Sequence, residues 1–342
     1  MKKKTVYILI ASVLGICLVI GAVGGWMAIK MLKVDPVVQE GSWVYIHDGK
    51  VEDTNDVLKS KALGWLMDYY GFEEKMKAGK LDGAYYLEPQ STALTVARKI
   101  TRHQQTAIKV SFNNIRLKEQ WAGKVAAKLL CDSTQLMQAM LDPDFLKEAE
   151  TDEQNVISIF LPDTYEIFWN TPAPEVVRRM LKEYRKFWSE ARVQKADAWG
   201  LTPQEVAVLA SIAEEETANR SERGKVAMLY WNRLQMGMPL QADPTVKYAL
   251  GDFGLKRILN KHLEVNSPYN TYRIQGLPPG PIRMAEKATI DSILNAHIHP
   301  YLYMCAKPDF SGTHNFATTL SQHLRNAEEY HRALNKRGVK GE

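Results

Sequence analysis

Three consecutive glutamates stand near the end of a segment whose other residues are mostly apolar (LTPQEVAVLASIAEEETANR, residues 201–220). If this segment is helical, Glu216 shares a stripe of about 80° with Val206, Leu209 and Ala213, because successive residues are rotated by about 100°. A carboxyl group on an apolar face loses water, so its pKa rises and it can serve as a general acid. The pattern therefore predicts Glu216 as a proton donor.

The start of this helix is marked by a capping pattern. Thr202, Pro203 and Glu205 supply a hydroxyl cap, a proline at the first helical position and an acid three residues after the cap. The residues alone leave one alternative open. In that alternative, Glu216 forms an ordinary surface ion pair with Arg220, four positions later on the same helix.

Composition argues against several other kinds of site. Three cysteines, Cys17, Cys131 and Cys305, cannot build a disulfide framework or a four-cysteine zinc site. His297 and His299 form an H-x-H pair, but no third ligand follows at a typical spacing. We therefore interpret these histidines as structural, and we predict no metal site and no cofactor.

The net charge of +5 is concentrated at the N-terminus. Residues 1–33 hold five lysines and no acid, and the rest of the chain has 39 basic and 39 acidic residues. Binding to phosphates needs an excess of clustered Lys and Arg, so nucleic acid is not expected as a partner.

Residues 6–29 are 24 uncharged, mostly apolar residues, enough to cross a hydrocarbon core of roughly 30 Å as a helix. A cleaved signal peptide is the alternative, but its apolar region would be only about 7–15 residues long. We expect an uncleaved single-pass anchor. Three lysines precede the span, so residues 1–5 are expected in the cytoplasm and the remainder in the periplasm or another extracytoplasmic space.

The remaining pattern predicts short elements around the glutamate helix. Alternating residues predict strands at 42–47 and 84–87, and a further strand is expected at 301–306. Ser91 is a candidate cap for a helix that ends near Thr101. Apolar spacing predicts one long helix from about Pro174 to Lys195.

Several long motifs together resemble the endolytic murein transglycosylase MltG (YceG-like) family. They are SIAEEET (211–217), SERGKVAMLYWNRLQMGMPLQADPTVKYALG (221–251) and SPYNTYRIQGLPPGPI (267–282). FLPDTYEIF (160–168) and YLYMCAKPDFSGTHNF (301–316) match as well. The resemblance covers residues 155–342 well and residues 35–150 weakly, where GAYYLEPQSTALTVARKI (83–100) is similar to part of a LysM-like domain.

The resemblance implies a catalytic residue and a set of substrate-binding candidates. The family's catalytic glutamate precedes a threonine in E-K-E-T, a position that Glu216 occupies here. Polar residues in the matching motifs are candidates for binding the substrate: Asn232, Gln241, Asp243, Asn270, Tyr272 and His314.

Two positions depart from the family pattern. Glu215 stands where the family has lysine; we expect it on the outer face of the helix, where it would change only surface charge. Ala242 stands where the family has Thr or Ser before Asp-Pro, so a hydrogen bond from that hydroxyl is in doubt.

The resemblance implies a lytic transglycosylase, a lyase that cuts peptidoglycan between N-acetylmuramic acid (MurNAc) and N-acetylglucosamine (GlcNAc). One glutamate acts first as acid and then as base, and the product ends in 1,6-anhydromuramic acid. Cleavage of nascent strands near the plasma membrane would terminate their elongation, with peptidoglycan synthases as candidate partners. Two alternatives remain open: a non-catalytic peptidoglycan-binding scaffold, and a muramidase that uses water.

For the fold we predict an α+β chain with an N-terminal transmembrane helix. The expected parts are a tail (1–5), an anchor (6–29), a small LysM-like mixed domain (34–110), a connecting helical region (111–154) and a mainly helical YceG-like catalytic domain with strand-bearing loops (155–342).

Overall fold

The computed structural model describes residues 3–52, 56–255 and 257–337. Helices and small antiparallel sheets make up these residues, so the predicted α+β class is confirmed. The first two residues of the predicted tail and the last five of the predicted catalytic domain lie outside the described part.

The chain folds as two compact units. One comprises residues 1–109 and 166–171, and the other comprises residues 110–165 and 172–342. The region 111–154, predicted as a connection, thus belongs to the second unit.

Helix α1 (Lys3–Ile29) opens the first unit and continues into a wider turn at Lys30–Val34. The stretch Ser12–Val34 is long and apolar enough to cross a membrane, with a mean hydropathy of 2.1. Its side chains are exposed, except that of Leu32, which packs against the core of the first unit. These properties of length and composition match a membrane anchor.

The rest of the first unit is a small sheet covered by helices. Its elements are β1 (Ser42–His47), β2 (Lys50–Val51), α2 (Lys61–Tyr69), α3 (Phe72–Lys77), β3 (Gly83–Leu87) and α4 (Ala93–Thr101). The strand order is β2-β1-β3, with β1 antiparallel to both neighbours. Val44 and Ile46 of β1 face the core, as alternation predicts. The cap of α4 is Thr92, one residue later than the expected Ser91.

Strands β4 (Ile108–Phe112) and β5 (Asp163–Ile167) pair with each other. The boundary between the two units falls inside each of these strands, between residues 109 and 110 and between residues 165 and 166.

The second unit is mainly helical and ends in a hairpin and a long helix. Its elements are α5 (Lys118–Ala126), α6 (Ser133–Met140), α7 (Pro143–Glu148), α8 (Ala173–Phe187), α9 (Glu190–Ala198), α10 (Pro203–Glu216), α11 (Arg223–Gln235), α12 (Asp243–Leu250), α13 (Asn260–Leu263), α14 (Lys287–Leu294), β6 (Tyr303–Ala306), β7 (His314–Ala317) and α15 (Leu320–Lys336). Strands β6 and β7 are antiparallel, and α15 packs against both. The strand expected at 301–306 begins two residues late.

The single helix predicted between Pro174 and Lys195 is wrong, because the chain breaks after Phe187. Trp188 leaves the helical conformation and lies buried in the core. Arg192 holds the break: it donates to the carbonyl of Phe187 at 2.8 Å and to both carboxylate oxygens of Asp291. This contact is tertiary, so helical periodicity cannot reveal it.

Helix α10 lies at the centre of the second unit. Every residue from Val206 to Glu214 is buried, and the helix packs against α11, α12 and α14. Apolar side chains from these helices form one core around it. A helix covered on nearly all sides fixes the position of whatever residue ends it.

Candidate active site

The capping pattern predicted at the start of α10 is present in the structure. Thr202 accepts a hydrogen bond from the backbone N–H of Glu205, and the Glu205 carboxylate accepts one from the N–H of Thr202. Pro203 begins the helix. At the other end Thr217 is extended (φ −136°, ψ 129°), so Glu216 is the last helical residue. The acid therefore ends a rigid, buried helix.

The Glu216 carboxyl is bound by a tyrosine rather than by a cation. Its Oε1 accepts a hydrogen bond of 2.7 Å from the hydroxyl of Tyr230 on α11. No described residue donates to Oε2, which leaves that oxygen available to carry a proton. Arg220, the partner in the alternative interpretation, pairs instead with Glu286 at 3.4 Å.

Burial raises the pKa of Glu216 to about 7, and the negative charge of Asp243 adds to that rise. The Tyr230 hydrogen bond, Lys247 and Arg233 act in the opposite direction and favour the ionised carboxylate. A group with a pKa near 7 both donates and accepts a proton readily at neutral pH.

Glu216 opens onto a cavity of about 340 Å³, which we call the Glu216 cavity. Three of the predicted substrate-binding residues line it with Glu216, namely Gln241, Asp243 and Tyr272. The remaining lining residues are Leu229, Tyr230, Arg233, Tyr303, Met304, Leu320 and His323. The last four come from β6 and α15, so the end of the chain forms one wall.

Two neighbouring loops hold the polar side of the cavity together. Tyr272 donates a hydrogen bond of 2.6 Å to Oδ1 of Asp243, and burial raises the pKa of the Tyr272 phenol. Behind them, Gln241 N donates to the carbonyl of Thr271, and Ala242 N donates to its hydroxyl. Ala242 is fully buried and contributes through its backbone, so the hydroxyl missing from its side chain leaves this loop contact intact.

The structure places the other three predicted binding residues away from the cavity lining, in structural roles. The Asn232 amide donates to the carbonyls of His299 and Tyr301. Asn270 is fully buried, and its amide donates to two carbonyls of its own loop at 2.8 Å. His314 is bound by the Glu222 carboxylate through its ring and its backbone N–H.

The expectation that Glu215 affects only surface charge is wrong. Its side chain is 16% exposed and accepts two hydrogen bonds from Arg116, at 3.0 and 2.9 Å. Arg283 pairs with the same carboxylate at 3.0 Å and with the fully buried Glu214, also at 3.0 Å. Helical geometry predicts the direction of the Glu215 side chain, but it cannot reveal the two arginines that other segments of the chain place beside it. Of the three glutamates, Glu216 is the one that no described cation pairs with.

Four further polar or charged residues line the cavity but are not among the predicted site residues: Tyr230, Arg233, Tyr303 and His323. Tyr230 is a core residue, as its spacing indicates, and is only 3% exposed. A buried tyrosine hydroxyl needs a partner, and this requirement was the signal available for Tyr230. Arg233 donates to the carbonyls of Leu302 and Leu240, contacts that span loops and leave no sequence signal.

One group of potential metal ligands occurs in the described residues, in the first unit. His47, Asp48 and Asp82 offer ligand atoms within 4.8 Å of one another. The two ring nitrogens of His47 face different carboxylates, at 3.4 and 3.5 Å. His299 is likewise engaged by the protein, because its Nε2 donates a hydrogen bond to the Lys225 carbonyl.

The chain also matches a known protein family. The model of the YceG-like family matches residues 44–329. The chain belongs to the YceG-like family. The resemblance seen in the motifs is thereby confirmed.

Related proteins and a solved structure give the same picture. An endolytic murein transglycosylase of Bacillus subtilis is 28% identical over 83% of this chain and 81% of its own length. An endolytic murein transglycosylase of Streptococcus pneumoniae is 30% identical over 49% of this chain, and the match spans only 31% of that relative. A crystal structure of a yceG-like protein from Listeria monocytogenes superposes with a TM-score of 0.57 at 25% identity, covering 84% of this chain and 98% of that one.

Proposed function

We propose that this protein is a membrane-anchored endolytic lytic transglycosylase that cleaves the MurNAc–GlcNAc bond of peptidoglycan strands. The names of the relatives support the reaction class. The observation that carries the proposal is the position of Glu216, a single carboxyl group that ends a buried helix and faces an open cavity. The pKa of this carboxyl group is about 7.

In the proposed first step, protonated Glu216 gives its proton to the glycosidic oxygen, and the bond between that oxygen and C1 of MurNAc breaks. The C6 hydroxyl of the same MurNAc attacks C1, and its proton passes to the Glu216 carboxylate. The proton is returned, no water is consumed, and the new end is a 1,6-anhydro sugar. One residue serves as acid and base, which suits a pKa close to neutral.

The groups around Glu216 support both of its proposed roles, first as an acid and then as a base. The Tyr230 hydroxyl holds Oε1 and stabilises the carboxylate after proton transfer, so Oε2 is the oxygen that exchanges the proton. The transition state carries positive charge at C1. Asp243, whose carboxylate is held by Tyr272, supplies negative charge on the cavity wall that would stabilise it.

We further propose that α1 spans the plasma membrane with its N-terminus in the cytoplasm, since its lysines are concentrated before the span. Cleavage would then occur in the periplasm or extracytoplasmic space, close to where strands are made. An anchored endolytic enzyme in that position would terminate strand elongation. Peptidoglycan synthases are the partners that this role implies.

The test is mass spectrometry of the products formed from uncrosslinked glycan strands by the full-length protein in detergent. We expect internal fragments that end in 1,6-anhydromuramic acid from the wild type and none from Glu216→Gln. The glutamine keeps an oxygen for Tyr230 and replaces the ionisable hydroxyl by an amide NH2, which cannot serve as an acid. Glu175→Gln, on the exposed face of α8, is the matched control and should cleave like the wild type.

Other products would point to other functions. Fragments with reducing ends would show that water attacks C1, as in a muramidase. Strands that are bound but left intact by the wild type would favour a non-catalytic scaffold. Cleavage by Glu216→Gln at the wild-type rate would show that a different group is the acid.

A further inference from the structure

A second pocket of about 120 Å³ adjoins the Glu216 cavity, and we call it the Lys247 pocket. Its lining combines charged groups with apolar and aromatic side chains: Arg116, Glu215, Pro244, Lys247, Tyr248, Phe253 and Ile282. The proposed cleavage reaction does not use this pocket.

The two pockets share a wall, as two pairs of consecutive residues demonstrate. Glu216 lines the Glu216 cavity and Glu215 lines the Lys247 pocket; Asp243 and Pro244 are divided in the same way. Consecutive Cα atoms are about 3.8 Å apart, so the end of α10 and the start of α12 separate the pockets by little more than one residue.

Lys247 is the cation of this pocket whose side chain forms no ion pair among the described residues, although its charge acts on the pKa of Glu216. Its side chain is half-buried on α12, one turn after Asp243, and no hydrogen bond or ion pair to it occurs among the described residues. Arg116 and Glu215 neutralise each other through their two hydrogen bonds, and Arg283 adds a second guanidinium to Glu215. The surplus charge of the pocket is therefore positive and resides on Lys247.

The rest of the lining suits a peptide rather than a simple inorganic ion. Phe253 packs against the Arg116 guanidinium at 5.2 Å and against Tyr248 at 6.1 Å, which gives the pocket a rigid aromatic side. Pro244 and Ile282 add apolar surface that small aliphatic side chains can contact.

We propose that the Lys247 pocket binds a carboxylate of the peptide attached to MurNAc, while the sugar occupies the Glu216 cavity. This rests on the proposed function, since the glycan strand brings the peptide to the pocket. The lactyl group of MurNAc carries that peptide, and the peptide's carboxylates are the charge that Lys247 would bind. Its small side chains would contact Pro244, Phe253 and Ile282.

The experiment compares two substrates with the full-length protein in detergent: uncrosslinked strands with their peptides, and the same strands after an amidase has removed the peptides. Lys247→Met should raise KM for peptide-bearing strands by roughly tenfold, the effect of losing a charge-assisted hydrogen bond. KM for stripped strands should stay unchanged. Lys247→Arg should restore most of the affinity, and Lys186→Met on the exposed face of α8 is the matched control.

Because Lys247 also acts on the pKa of Glu216, the assay is run at pH 5.5, where Glu216 is protonated in every variant. An equal change for both substrates, or no change for either, would overturn the proposal. If the wild type cleaves neither substrate, the proposed function fails, and the pocket is tested separately. N-acetylmuramyl pentapeptide should then bind the wild type by calorimetry and bind Lys247→Met roughly tenfold more weakly; equal binding would refute the pocket's role.

Discussion

Replacing Glu216 by glutamine should stabilise the folded protein, and the increase in the free energy of unfolding should depend on pH. In the folded protein the pKa of Glu216 is about 7, whereas the ordinary value for glutamate is 4.5. Between these values the unfolded chain has lost this proton and the folded protein still holds it. The folded state is therefore progressively weakened relative to the unfolded state as pH rises through this window.

The size of the effect follows from the shift. A difference of about 2.5 pKa units at 1.36 kcal/mol per unit gives about 3 kcal/mol, lost in the wild type between pH 4.5 and 7. Glutamine does not ionise, so Glu216→Gln should avoid this loss. For a unit of this size, 1 kcal/mol corresponds to roughly 2–4 °C in Tm, so the variant should melt roughly 6–12 °C higher at pH 8.

The assay is thermal unfolding of the full-length protein in detergent at pH 4.5 and pH 8, followed by near-ultraviolet circular dichroism. The Tm difference between Glu216→Gln and wild type should be larger at pH 8 than at pH 4.5. Glu175→Gln, an exposed glutamate on α8, should show no such pH dependence. A Tm difference that is the same at both pH values would refute the raised pKa.

Three further substitutions test the surroundings of Glu216. Tyr230→Phe removes a hydrogen bond that favours the carboxylate, so the basic limb of the pH profile of kcat/KM should move up by roughly one unit; a downward shift would contradict this. Asp243→Asn removes a negative charge that raises the pKa of Glu216, so the same limb should move down, and an upward shift would count against the assignment. Thr202→Ala removes the cap of α10 and should lower the free energy of unfolding by about 1 kcal/mol in urea, whereas Thr202→Ser should lose much less.

Much of the candidate site could be predicted because α10 obeys local rules. Its start follows from Thr202, Pro203 and Glu205, and its buried side follows from helical periodicity. Once the start is set, the direction of Glu216 is determined by counting residues. The motifs then added Gln241, Asp243 and Tyr272, which the structure brings to the same cavity.

The rest of the site depends on contacts between distant segments. Asn232 and Asn270 lie in matching motifs, yet both bind backbone carbonyls, and motif membership alone does not separate binding residues from structural ones. Tyr230 reaches Glu216 only because α11 packs on α10. Glu215 was misjudged because Arg116, 99 positions earlier in the chain, comes to it through the fold.

The break between α8 and α9 has the same origin. The apolar spacing continues through Trp188, so the pattern favours a single helix. Binding of Arg192 to Asp291 and to the Phe187 carbonyl is what stabilises the break, and α14 supplies that aspartate. Local propensity is overridden here by a tertiary ion pair.

The acidity of Glu216 is tested most directly by a titration of its carboxyl group. Nuclear magnetic resonance of protein labelled with ¹³C at the glutamate side-chain carboxyl carbon, compared with Glu216→Gln, would identify its signal by difference. We predict a carboxyl group that titrates with a pKa of about 7 in the free protein. A signal that titrates near 4.5, the ordinary value for glutamate, would contradict the claim that Glu216 is held as an acid at neutral pH.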